Sequence, residues 1–160
     1  MALVTGSSRA ILYGTLVVGV LDALDAVVFF GLRGVRPIRI FQSIAAGVLG
    51  RAAFQGGLAT AVLGACLHFF IAFVVVLTFY LASRRAPVLT RYAVVSGLLY
   101  GLVVYVVMNF VVVPLSAASA APPPVPVLVN GLLIHAFGVG LPTALFVRAA
   151  GTGEGSGPES

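Results

Sequence analysis

Four apolar runs, each of about 20 residues and so long enough to cross an apolar layer of about 30 Å as a helix, leave this chain few ways to fold. They cover about 10–31, 58–82, 92–114 and 127–148, and arginine, proline or glycine stands near the end of each. A soluble domain could not hide so much apolar surface. Of 160 residues 61% are hydrophobic and 8% charged, whereas soluble domains carry about 25% charged residues. The expected fold is an all-α integral membrane protein, a four-transmembrane-helix bundle forming one domain over residues 1–148. The first run is kept as a membrane helix rather than a cleaved signal peptide, because it is long, contains two carboxylates and lacks a small-residue cleavage site.

Three segments differ in texture. "RGVRPIRIFQSIAAGVLGRAAFQGG", residues 33–57, is too interrupted to span. Within it Ile38, Phe41, Ile44, Ala45, Val48 and Ala52 recur at helical spacing, with Arg39, Gln42, Ser43 and Gly50 on the other side. That pattern predicts a short interfacial amphipathic helix over about 38–50, between the first and second spans. "LSAASAAPPPVP", residues 115–126, cannot be helical through Pro122, Pro123 and Pro124 and reads as a stiff extracytoplasmic loop. Residues 149–160 are rich in Gly and Ser, and disorder is expected there.

The net charge of +5 does not point to nucleic acid, because all nine cations are arginines beside the ends of the apolar runs, where they act as topology signals. Lysine is absent, and the Ala, Gly and Arg richness suits a GC-rich bacterial genome, hence a multi-pass protein of the bacterial inner membrane. Four crossings put Arg9, Arg84, Arg85, Arg91 and Arg148 on one side and Arg33, Arg36, Arg39 and Arg51 on the other. With the uncharged proline loop facing the second side, both termini are expected in the cytoplasm. Cys66 is the lone cysteine, so neither an intrachain disulfide nor a cysteine-built metal site can form. No phosphate-binding glycine loop, nucleophile elbow or HExxH-type motif occurs, and no familiar catalytic constellation is assembled.

Function therefore has to be sought in the polar residues inside the runs. "VGVLDALDAVVFFG" sets Asp22 and Asp25 in the first span, His68 lies in the second, Asn109 in the third, and Asn130 and His135 in the fourth. At mid-span an ionisable side chain costs about 2.5 to 3.5 kcal/mol on insertion scales, so each should face protein or water. Small residues mark the same faces at three- or four-residue steps: Gly57, Ala61, Gly64 and Ala72 around His68, Gly97 and Gly101, then Tyr105, ahead of Asn109, and Gly131 and Gly138, then Pro142, around His135. Counting at about 1.5 Å per residue places Asp22, Asp25, His68 and His135 at one level, about 18 to 22 Å in, with Asn109 and Asn130 about 26 to 27 Å in.

The leading reading is a small non-enzymatic accessory or interaction subunit with a structural Asp/His cluster, no cofactor and no nucleic-acid partner. The lipid bilayer, and a membrane protein or second copy of the chain, would be its partners. The alternative is a proton- or ion-handling transporter using Asp22, Asp25, His68 and His135. A third is a redox protein, with haem held between His68 and His135 or a divalent metal held by both aspartates and both histidines. Topology is directly testable. In a Cys66→Ala background, single cysteines at Ser119 and Ser83 should react with an impermeant thiol reagent from opposite sides, Ser119 from outside. Same-side labelling would overturn the four-span count.

Overall fold

The structure, a computed structural model, describes residues 6–118 and 123–153, and among them every regular element is helical. Helix α1 runs Gly6–Gly31, α2 Pro37–Leu49, α3 Gly57–Arg85, α4 Ala93–Leu115 and α5 Val125–Gly151. All but α2 are long and apolar enough to cross a membrane, four in all. A tight turn of helix, Gly50–Gln55, joins α2 to α3, and a single turn, Val88–Arg91, precedes α4. The final helix continues to Gly153, so the expected disorder from residue 149 is corrected. Ala149 and Ala150 are strong helix formers, and Ala150 is buried against the bundle. The rest of the tail, and residues 119–122 of the proline loop, lie outside the described residues.

Side-chain size is sorted the opposite way from a soluble bundle. The centre is made from Val18 of α1, Ala72, Val75 and Val76 of α3, Val104 of α4 and Val139 of α5. A second cluster toward the chain termini adds Phe79, Ala93, Ala144 and Val147. The large apolar residues point outward: Leu12, Leu24, Phe70, Phe110 and Phe137 are each exposed over more than half of their surface. Nonpolar surroundings give helices no hydrophobic reason to associate, so small residues on the inner faces, which let backbones approach, hold such bundles together. All nine arginines are exposed, at the helix ends or in the connections between them.

A close approach joins α4 to α5. A methyl group added to Gly101 would run into the His135 carbonyl, and one added to Gly140 into the Gly97 carbonyl and the Gly101 backbone. Backbone meets backbone there, leaving no space for a side chain. Contact across the bundle is reinforced where the Tyr100 hydroxyl of α4 donates to the Val75 carbonyl of α3 at 2.7 Å.

Helix α2 lies against the start of α3, with Gly64 directly beneath the Phe41 carbonyl. Its protein-facing side is Gln42, Ala45 and Ala46, all buried, while Val48 is 63% exposed. This corrects the expected placement of Gln42 on a polar side away from the apolar stripe. The Gln42 amide donates to the Gly57 carbonyl at 2.9 Å, and the Thr60 hydroxyl donates to the Ala53 carbonyl at 2.7 Å. Satisfying backbone groups at the α3 start offsets the burial of the amide. At its other end, α2 meets the chain after α4, where the Ala117 amide donates to the Gly47 carbonyl at 2.9 Å.

Two turns are wider than α-helical, Met108–Val112 in α4 and His135–Gly140 in α5. Each ends two residues before a proline, Pro114 or Pro142. Proline lacks an N–H and its ring presses on the carbonyl four residues earlier, so the preceding turn opens. The glycine crossing gives a stability prediction. Gly140→Ala should destabilise the purified protein in detergent by about 1 to 3 kcal/mol, as overpacking does. Gly151→Ala, which meets nothing within 4 Å, should stay within about 0.5 kcal/mol of the parent. Equal denaturation midpoints would show that the crossing is not close-packed.

Candidate functional site

Beyond the glycine crossing α4 passes through its wide turn, while the wide turn of α5 forms its side of the crossing, and the bundle interior holds a cavity of about 430 Å³. Its walls carry Asp22, His68, Asn109 and His135, among mostly aliphatic neighbours such as Val18, Ile71 and Val104. It extends to Ser43, Ile44 and Gly47 of α2 and to Ser116 and Ala118, so α2 and the residues after α4 form its roof. Asp25 and Asn130 are not among its lining residues.

The polar residues predicted at one level thus divide into separate contacts. Asp22 and His68 form the first, with carboxylate Oδ2 and imidazole Nδ1 3.9 Å apart. His68 Nε2 is 2.8 Å from the Gly19 carbonyl. A carbonyl can only accept, so Nε2 carries a proton and Nδ1 is the nitrogen turned toward Asp22. The carboxylate keeps 29% of its side-chain surface accessible and the imidazole 11%, so the pair is reachable from the cavity.

The second contact joins α1 to α5, where the Asn130 amide donates to Asp25 Oδ2 at 2.7 Å. Counting residues separates these two by roughly 5 Å along the helices, a gap their side chains bridge. His135 makes the third set. Its Nδ1 is 2.9 Å from the Gly131 carbonyl one turn back, so Nδ1 is the donor and Nε2 stays free. The Tyr105 ring packs edge-on to the imidazole at 5.3 Å between centroids and occupies the space over Gly131. Asn109 donates to the Tyr105 carbonyl at 2.9 Å, within its own helix.

The four-ligand metal set expected from Asp22, Asp25, His68 and His135 is not assembled. Among the described residues no three His, Cys, Asp or Glu side chains come together as a metal site. Haem fits little better: an axial ligand needs a free ring nitrogen, and the one His68 has to offer faces Asp22. Sequence reasoning did not single out Gln42, which lies on α2 and looked solvated, nor Thr143. The Thr143 hydroxyl is fully buried and donates to the Val139 carbonyl at 2.7 Å, inside the wide turn before it. A proline one residue earlier is the sequence signal for that arrangement, since it disturbs the helix hydrogen bonds that such a hydroxyl can repair.

A double-mutant cycle distinguishes these pairs. Asp25→Ala and Asn130→Ala should each destabilise the protein and be non-additive by about 0.5 to 3 kcal/mol, because either change alone breaks the bond. Asp22→Ala with Asn130→Ala should be additive within about 0.5 kcal/mol. Additivity in both cycles would mean that Asp25 and Asn130 do not pair. No protein family, characterised protein or solved structure matches this chain, so its own geometry is the ground for a functional reading.

Proposed function

We propose that the chain is a multi-pass protein of a bacterial inner membrane that takes up and releases a proton at the Asp22–His68 pair, the binding step of a small proton- or ion-handling transporter. One observation carries this reading: the pair lines a cavity, where a purely structural pair would be sealed in packing. The inside-out sorting of side-chain size supports the bilayer as its surroundings, with α2 lying along the membrane surface and the arginine ends in the headgroups. The arginine distribution favours both termini in the cytoplasm, which turns the α2 roof toward the outside.

Below the cavity the bundle closes around Phe79, Ala93, Ala144 and Val147. This is one half of an alternating-access cycle, occupied from the roof side, and delivery to the other side requires the helices to repack. The direct Asp25–Asn130 bond favours a different role for that pair, holding α1 to α5 as a structural contact. It is the part of the expected polar cluster that suits an accessory or interaction subunit, with a second copy or another membrane protein as partner.

Proton handling can be read in vesicles. Protein reconstituted around a trapped pH indicator should acidify the lumen when a potassium diffusion potential, negative inside, is imposed. Asp22→Asn and His68→Gln should reduce the rate to that of protein-free vesicles, whereas Asp25→Asn, if folded, should retain it. A rate equal to protein-free vesicles for the parent protein, or one indifferent to Asp22→Asn, would overturn the proposal.

A further inference from the structure

A second hollow, of about 580 Å³, adjoins the first. It is lined by Ser43, Ala46, Gly50, Arg51, Phe54, Val113 and Ala118. Ser43, Val113 and Ala118 line both hollows, so the two adjoin, one with the exposed Arg51 on its wall and the other with Asp22. Arg51 is the one charged residue of the outer hollow. Its neighbour Arg39 donates to the Phe54 carbonyl at 3.1 Å and lies over the Phe54 ring at 5.5 Å. Arg51 has no such partner among the described residues, and the outer hollow contains no carboxylate.

Other polar groups around the two hollows are committed: Ser43 donates to the Ile40 carbonyl at 2.6 Å and Ser116 to the Val113 carbonyl at 2.7 Å. A guanidinium beside an aliphatic cavity offers a planar fork to one class of ligand, an oxyanion, and repels metal and ammonium ions. Around the inner pair stand Asp22 of α1, His68 of α3, Asn109 of α4 and His135 of α5, with α2 contributing Ser43, Ile44 and Gly47 and no titratable group. Unprotonated, the pair presents a carboxylate that repels an anion; with its proton bound, that repulsion is relieved.

We infer that the adjoining hollows bind a small carboxylate with an apolar body, gripped by Arg51 and favoured when the Asp22–His68 pair holds its proton. The aliphatic walls receive the body of the ligand and exclude strongly hydrated inorganic anions. This inference rests on the pair being the proton site, and it names the ligand whose binding that proton favours.

Binding of radiolabelled butyrate to the purified, full-length protein in detergent tests it, with butylammonium as the cationic counterpart of equal length. Butyrate should bind about tenfold more tightly near pH 6 than near pH 8, and butylammonium should not compete. Arg51→Gln should weaken binding about tenfold at both values, with Arg51→Lys recovering part of the loss and Arg36→Gln, outside both hollows, leaving it unchanged. Asp22→Asn should remove the pH dependence while binding persists. Competition by butylammonium, or indifference to Arg51→Gln, would overturn the inference. If butyrate fails to bind while vesicles still take up protons through Asp22, the carboxylate assignment falls and the proton reading stands. If neither measurement responds to Asp22→Asn, both fall.

Discussion

Contact of backbone with backbone where α4 crosses α5 is the interaction on which the rest of this bundle depends. Gly97, Gly101 and Gly140 bring the two helices together below the cavity. Pro114 opens a turn of α4 beyond that crossing, whereas Pro142 opens the turn of α5 that forms the crossing itself, His135–Gly140. Both widened turns border the interior space. The polar residues Asn109 and His135 lie in those widened turns, and they reach the cavity because the turns depart from regular geometry.

How much of this was legible in the sequence differs from element to element. The four long helices were, since length and hydropathy are properties of each run alone and need no tertiary information. The packing faces were too, because glycine and alanine at helical spacing identify the side on which backbones can approach: Gly97, Gly101 and Tyr105 are buried in the order that the spacing suggests. Helix α2 was legible as a helix but not in its rotation. An amphipathic reading divides a helix into an apolar and a polar side, whereas α2 touches three environments, and its protein-facing side holds both Gln42 and Ala45.

The candidate site was legible as a set of residues and illegible as an arrangement. Axial counting assigned a common depth to Asp22, Asp25, His68 and His135, but depth says nothing about direction around the bundle. The structure sends Asp22 to His68 and Asp25 to Asn130, two separate contacts made by residues less than one turn apart on α1. His135 turns to the carbonyl of its own Gly131. Which nitrogen of His68 faces Asp22 depends on a single backbone carbonyl, that of Gly19, and no pattern of residue types announces such a contact.

The bond between Asp25 and Asn130 spans 105 residues of chain, and this separation bears on how the protein is made. At about 5 to 20 residues per second, the ribosome supplies Asn130 roughly 5 to 20 s after Asp25. His68 arrives sooner, but α1 still leaves the ribosome with both carboxylates and neither partner. During that interval both carboxylates must stay hydrated or find other partners. The order of synthesis therefore makes α1 the earliest of the four long helices to be translated and the last to be secured, and its final placement waits on α5, which supplies Asn130.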